Sequence, residues 1–302
     1  MNTVAELVVD CRNDLGETPV WCARSRTLSW IDVTYPGRLF RWQTDATGID
    51  CHHFDDLVTG VARHAGGHLL MAGCRELFEF DPATLRRTTL FQQPADRPEH
   101  RFNDGGCDRA GRFWVGSMEN NLAPARAAQS SLGATGRIYC IDGSGRSRYF
   151  EAGLICPNAI CWSLDDTTFY IADSGNGWIY SYEFDLAEGA LGARKGFCRL
   201  NGLGIPDGAA VDVDGCLWNA RWGAGVVARI DPTGRLDRVI KVGTTNPTAC
   251  CFGGSKLDTL YITSARYGLD AARLGSEPHA GGLFAVATGV SGIDKPAFGA
   301  RP

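Results

Sequence analysis

The chain has 302 residues, of which 44% are hydrophobic and 21% charged, with 38 Gly and 13 Pro. Thirty basic against thirty-four acidic residues leave a net charge of −4, and with no basic block this excludes nucleic acid and anionic membrane as main partners. No stretch approaches the ~18–20 apolar residues of a membrane span, and the start Met1–Glu6 lacks the basic and apolar regions of a secretory signal, so a soluble cytoplasmic protein is expected.

Taken in chain order, the elements repeat. Leu7-Val8-Val9 opens the chain as a short strand, and Leu28-Ser29-Trp30-Ile31-Asp32 is the first copy of an apolar phrase that follows a turn and ends in small or polar residues. The phrase returns as Leu69–Gly73, Phe113–Ser117, Phe169–Asp173, Leu217–Ala220 and Leu260–Ser264. Its six copies start at residues 28, 69, 113, 169, 217 and 260, a spacing of ~40–55 residues that fits one propeller blade per copy. A second phrase follows each first one: Leu39–Trp42, Leu77–Pro82, Ile138–Asp142, Ile179–Tyr182, Val227–Pro232 and Leu283–Val286. Alternating apolar and polar residues closed by Asp-Pro or Gly-rich turns mark β-hairpins.

Helical periodicity is nearly absent. Its best candidates are a lid-like segment at 122–129, within an insertion over 119–133, and a short stretch at 269–274, within an insertion over 265–278. The expected fold is therefore all-β, a single six-bladed β-propeller domain over residues 1–302. Leu7–Val9 is expected beside Leu283–Val286, where it removes the free edge of the last blade.

Twelve cysteines without a C-x-x-C pair do not make a disulfide framework in a chain of this size. Most sit in apolar runs such as Cys250-Cys251-Phe252 and Ile160-Cys161-Trp162, and read as buried free thiols acting as small hydrophobes. His52-His53 point to opposite faces of a strand and cannot chelate one ion together. No G-x-S-x-G elbow or glycine-rich phosphate loop is present.

A third phrase precedes each first one, at the start of the innermost strand. Alignment without gaps puts Thr59, Asn103, Asn158, Asp207 and Thr248 at one equivalent position, with Glu17 one residue off that register. Taken singly, Asn103-Asp104-Gly105, Pro157-Asn158-Ala159 and Pro206-Asp207-Gly208 are ordinary turn sequences. Taken together they ring one end of the central channel with side-chain oxygens. Two carboxylates and amide oxygens converging there repel unless a positive charge sits among them. Oxygen-only ligation suits Ca²⁺, Mg²⁺ or Mn²⁺, with Fe²⁺ or Zn²⁺ as further candidates.

Several of these phrases carry a family resemblance. Leu15-Gly16-Glu17-Thr18-Pro19-Val20-Trp21, Arg101-Phe102-Asn103-Asp104-Gly105, Gly111–Met118, Pro157-Asn158-Ala159-Ile160, Tyr170–Ser174 and Pro206-Asp207-Gly208-Ala209 resemble the gluconolactonase/regucalcin (senescence marker protein) family, from about residue 6 to 287. The resemblance implies a six-bladed propeller with one divalent metal, held by Glu17, Asn158 and Asp207, the residues that the repeat phase reaches separately. It implies substrate contacts from Arg101, Asn103 and Glu119. Two positions depart from the family pattern: Thr18 and Ala159 stand where glycine is usual, and each adds a Cβ that would narrow the site. Asp173-Ser174 reads either as a polar group lining the channel or as a plain strand end.

The implied activity is hydrolysis of a sugar (aldono-)lactone to its aldonic acid, a step of carbohydrate metabolism. Such a reaction needs a polarised carbonyl, an activated water and a stabilised oxyanion; a divalent ion serves the first and third, and Asp207 is the candidate general base. Arg101 offers a fork of donors to the ring or carbonyl oxygens, unless an acid such as Asp104 or Glu99 takes it as an ion-pair partner. A phosphotriesterase- or arylesterase-like hydrolase on the same fold is one rival, a non-catalytic calcium-binding propeller the other. The loops at 93–101, 119–133 and 265–278 would select the sugar.

Overall fold

The structure is a computed structural model that describes residues 4–44, 46–122 and 132–300. It contains six four-stranded antiparallel sheets. In blades 1 to 5 four consecutive strands run from the channel outward, and the innermost strands contact one another in ring order, the last against the first. This is the expected six-bladed propeller.

The sixth blade takes Pro247–Gly253, Thr259–Ser264 and Leu283–Ala287 from the end of the chain and Glu6–Val9 from its beginning. Leu7 pairs with Phe284 and Val9 with Leu283, so the closure expected from Leu7–Val9 is present and no edge strand is left open at that joint.

Burial falls off outward along each blade, as the residue types dictate. The second strand of blade 1, Thr27–Asp32, is buried throughout, whereas the outermost strand of blade 2, Arg86–Gln92, is largely exposed. Neighbouring blades are glued by aromatic contacts. Trp114 of blade 3 meets Trp162 of blade 4 edge-on at 6.3 Å, and Trp218 of blade 5 meets Phe252 of blade 6 at 5.9 Å.

A polar device recurs in two blades. Asp108 and Asp212 each accept the indole N–H of the tryptophan six residues on, Trp114 and Trp218, at 2.8 Å. Asp212 also accepts from Arg229 Nε at 2.8 Å and from the backbone N–H groups of Asp214 and Cys216 at 3.0 Å. Asp212→Asn removes the charge that these donors share while Arg229 keeps Asp214 and Asp237. The expected cost is about 2 kcal/mol, read from the midpoint of urea unfolding; an unchanged midpoint rejects the assignment.

The expected short helix is present as Ala271–Ser276, capped by the Asp270 carboxylate, which accepts from Arg273 N at 2.8 Å. The lid-like segment falls largely on 123–131, outside the described residues. All twelve cysteines are free, but only seven are buried: Cys11, Cys22, Cys74 and Cys156 are half-buried and Cys51 is exposed. The reading as buried free thiols holds for the seven and is corrected for the other five, which lie on an outer strand, in turns and loops or at a strand end, where there is no core to fill. No helix among the described residues is long and apolar enough to cross a membrane.

The repeat did not foretell the C-terminal segment. Residues 291–300 cross the end of the channel opposite the Glu17–Asp207 end. Ile293 N donates to Val211 O at 3.3 Å, Phe298 N to Arg63 O at 2.8 Å and Gly299 N to Gly111 O at 2.9 Å. Beneath the segment lies a cavity of 820 Å³ lined by residues that include Trp162, Phe252 and Lys295.

Candidate metal and substrate site

Every innermost strand carries a β-bulge near its first residues: between Glu17 and Val20, Val58 and Gly60, Phe102 and Gly105, Asn158 and Cys161, Pro206 and Ala209, and Pro247 and Cys250. A bulge bends the strand and re-aims a side chain, which is how each blade can turn one residue toward the axis.

The bulges fall into two registers, and this corrects the gap-free alignment. Asn103, Asp207 and Thr248 are the first residues past the last ladder pair, whereas Glu17 and Asn158 are themselves that last pair, with Ile31 and Ala172. Asn158 therefore shares the register of Glu17, and the offset expected for Glu17 alone belongs to both. The two residues that follow, Thr18 and Ala159, take φ of 46° and 53°, a left-handed conformation that favours glycine and is an outlier for a β-branched residue. The two departures from the family pattern thus act on the backbone beside the site as well as on its width.

Two ring members are consumed locally. Thr248 Oγ1 donates to Gly16 O and bonds Thr263 Oγ1, and Thr59 Oγ1 donates to Gly73 O at 3.3 Å. Four oxygen-bearing members remain, Glu17, Asn103, Asn158 and Asp207, and the structure joins them to further groups. Asn103 Nδ2 donates to Asn158 Oδ1 at 2.8 Å and to Pro157 O at 2.9 Å. Asn158 Nδ2 donates to Ser174 Oγ at 2.8 Å, and that hydroxyl donates to Pro206 O at 2.6 Å, tying Asn158 to the strand of Asp207. Ser174 is therefore part of the site. Asp173 is not: its carboxylate is spent on the backbone N–H groups of Ile155, Cys156 and Gly175.

Arg101 is buried, and its guanidinium donates to Asn103 Oδ1 at 2.6 Å, Phe102 O at 2.9 Å and Asn121 Oδ1 at 2.9 Å. It makes no ion pair among the described residues, so Asp104 and Glu99 do not take it up. Its Nε is buried without a partner. Glu119 lies apart from this network. Its Oε1 accepts from Gly133 N at 3.3 Å and Thr135 Oγ1 at 3.5 Å, at the base of the segment outside the described residues.

The electrostatics centre on three acids, one of which sequence reasoning passed over. Burial, then the charge of Asp207, then that of Asp104 push the Glu17 carboxyl well above the usual carboxylate range. Burial and then Asp104 do the same to Asp207, and burial raises Asp104 itself. Asp104 Oδ2 accepts from Ile160 N at 3.1 Å and Oδ1 from Gly105 N at 2.8 Å, so it spans from blade 3 to blade 4. Strict strand alternation puts residue 104 on the face away from 103, and the bulge undoes that alternation; its only sequence signal was its place in Asn103-Asp104-Gly105.

The strand of Asp207 is anchored by Asn219, whose Nδ2 donates to Asp207 O at 2.6 Å. Asn219 Oδ1 accepts from Arg221, which also donates to Leu203 O and Gly204 O. Burial lowers Arg221 to about 10. The Cys156 thiol stands 3.9 Å from Asn103 Nδ2, and burial pushes it up to about 12, so it stays uncharged at neutral pH.

The donor set fits a divalent cation. Among the described residues Glu17 receives only the Thr18 N–H, at 3.2 Å, and the nearby arginines do not offset the mutual repulsion of the acids. Glu17 and Asp207 supply carboxylate oxygens, and Asn158 Oδ1 keeps a lone pair beyond the one Asn103 uses. Hard oxygen donors around an unneutralised negative charge are what Ca²⁺ and its congeners take.

The chain as a whole has relatives among known proteins. The sequence profile of the SMP-30/Gluconolactonase/LRE-like region matches residues 15–266. Regucalcin of Danio rerio is 35% identical over 294 residues, covering 95% of this chain and 96% of that protein. Among solved structures, regucalcin from Agrobacterium tumefaciens, described as a calcium-binding protein, superposes with a TM-score of 0.89 at 28% identity, covering 99% of this chain and 98% of the other. A luciferin-regenerating enzyme shares the fold with a TM-score of 0.88 at 22% identity, covering 98% and 99%.

Proposed function

The chain belongs to the SMP-30/gluconolactonase/LRE-like family, and from that premise we propose that it hydrolyses a sugar lactone to the aldonic acid with a divalent metal held by Glu17, Asn158 and Asp207. One observation carries the reading: two carboxylates short of counter-charge stand in the same channel mouth as a buried guanidinium with an unpaired Nε. The first suits a cation, the second a neutral, oxygen-rich ligand. The description of the Agrobacterium relative favours Ca²⁺ as the first ion to try.

When bound, the ion polarises the lactone carbonyl and lowers the pKa of a coordinated water. Arg101 orients the substrate through its free Nε and the edge of its fork, and Asn103, held by Arg101 and hydrogen-bonded to Asn158, offers a second polar contact. Asp207 takes the proton as water adds to the carbonyl. The tetrahedral adduct collapses by breaking the bond to the ring oxygen, and the proton passes from Asp207 to that oxygen as it leaves. The acid formed ionises at neutral pH, so each turnover releases one proton. Glu119 enters only if a substrate draws its carboxylate away from Gly133 and Thr135.

The test is proton release by chelator-treated protein on a panel of fresh aldonolactones, with Ca²⁺, Zn²⁺, Mg²⁺, Mn²⁺ or Fe²⁺ added back. Hydrolysis above the spontaneous rate that returns only with metal is expected. Folded protein that binds metal yet leaves every lactone untouched sinks the proposal, and aryl esters and phosphotriesters run in parallel identify the rival activity.

A further inference from the structure

On the face opposite the proposed metal site, blades 1 and 2 enclose a pocket of 230 Å³ with an unusual lining for a chain of net charge −4. Arg24, Arg41, Arg63, His64 and His68 line it with hydroxyls such as that of Ser25, and among the described residues no carboxylate does. The topology brings them together from afar. Arg24 and Ser25 stand in the turn after the innermost strand of blade 1, and Arg41 lies across from Ser29 on the third strand. Arg63, His64 and His68 come from the matching turn of blade 2.

Three polar atoms at this pocket, Arg41 Nε, Arg63 Nε and His68 Nε2, are buried with no hydrogen-bond partner. Among the described residues Arg24 and Arg41 have no ion-pair partner. Arg63 pairs with Asp294 at 2.9 Å and donates to Lys295 O, both through Nη2. Two further acids stand beside the pocket: Glu79 faces His64 Nε2 at 3.3 Å and His68 Nε2 at 3.5 Å, and Asp81, next to the lining residue Pro82, feels the charge of His68 but turns its carboxylate to Thr84 and Ala83 N. Unpaired buried donors cost free energy unless something satisfies them. The Cys22 thiol senses the field: burial raises it, but hydrogen bonds from Ser25 and the charge of Arg63 bring it below its ordinary value.

His64, His68 and Glu79 also have the mutual spacing of a metal-binding trio, with one ligand atom of each within 4.8 Å of the others. The hydrogen bonds argue against a cation. Gly66 N donates to His64 Nδ1 at 2.8 Å, which leaves the proton of the neutral ring on Nε2, toward Glu79. Three guanidiniums alongside repel a cation further.

We propose that this pocket binds a phosphate-class oxyanion, either inorganic phosphate or the phosphoryl end of a small monoester. A doubly charged tetrahedral group presents acceptors in several directions to donors that converge from two blades, and guanidinium forks match its oxygens. A carboxylate offers one charge and one plane. The volume lies below the range of drug-sized ligand pockets, as a single phosphoryl group requires.

Calorimetry on the metal-loaded protein at constant ionic strength is the test, with inorganic phosphate, glycerol 3-phosphate and acetate as probes. Saturable phosphate binding with Kd of about 1 mM or tighter is expected, acetate at least about tenfold weaker, and the tighter of the two phosphates names the source. The Arg24→Ala/Arg41→Ala double variant weakens phosphate binding at least about tenfold with lactone turnover unchanged, and Arg24→Ala alone, at an exposed position, gives the same direction if the double variant unfolds. Asp207→Ala retains phosphate binding, which separates this site from the fate of the lactonase reading. No saturation by about 20 mM phosphate, or affinity indifferent to Arg24 and Arg41, overturns the proposal, as does zinc binding that requires His68 in protein that ignores phosphate.

Discussion

Asp207→Asn is expected to lower kcat/KM for the lactone by about three orders of magnitude or more, and to make the chelator-treated protein more stable. The first effect follows from two roles lost together, the general base, worth about 10²–10⁴, and a metal-binding carboxylate. The second follows from the three acids. Glu17, Asp104 and Asp207 are all held above their ordinary range, by burial first and by each other's charge for Glu17 and Asp207. Removing one charge relieves the others, a gain on the order of 1–2 kcal/mol. The pH dependence has a definite sign. A carboxyl whose folded pKa is raised favours folding fully below its unfolded pKa, near 4, and that contribution is lost as pH rises through the folded value. Chelated wild type therefore loses stability above about pH 4, Asp207→Asn loses less, and a divalent cation added to wild type cancels the loss. Thermal melts across pH, with and without metal, read all of this. A variant that keeps a tenth of wild-type activity, or melts with the wild-type pH slope under chelation, refutes the assignment.

The second expectation concerns Arg101. Arg101→Ala is expected to cost about 10²–10³ in kcat/KM, and Arg101→Lys to restore little of it, because a point charge cannot replace a fork that holds Asn103 and Asn121 at once. Metal affinity should hold or rise slightly, since Arg101 is no proposed ligand and its charge favours ionised Glu17 without a metal. The amide oxygens of Asn103 and Asn121 lose a donor, and because both residues are only half-buried the cost to stability is about 1 kcal/mol, at the low end for an unsatisfied acceptor. Metal titration beside steady-state kinetics separates the roles: metal affinity falling in step with activity would make Arg101 a support of the metal centre and not a substrate contact.

Much of this site was legible in the chain, for a reason visible in the ladders. Glu17, Asn103, Asn158 and Asp207 each precede an apolar strand at a repeating distance, and a propeller turns repeating distance into a ring. Asp104 was hidden because the bulge at Asn103-Asp104 suspends strand alternation. Asn121 was hidden because its partner, Arg101, lies 20 residues away, at a separation the repeat does not mark; Ser174 was legible only as one of two readings of Asp173-Ser174, and its bond to Asn158, 16 residues back, decides for it. Glu119 was named by the resemblance alone, and its carboxylate is bonded to Gly133 and Thr135.

The six blades and the pairing of Leu7–Val9 with the last of them were determined by the sequence itself. Alternation, turn chemistry and repeat length are relations among near neighbours, and a run of open-edged β-units has few ways to bury its flanks other than to close. Tertiary structure alone decided which polar groups are spent and which are left over. Thr59 and Thr248 are satisfied by backbone, Arg101 keeps a free Nε, and Arg41 and Arg63 face one pocket from different blades. Satisfaction of a buried donor depends on every atom within hydrogen-bond reach, and in a propeller those atoms come from the adjoining blade, some forty residues or more along the chain.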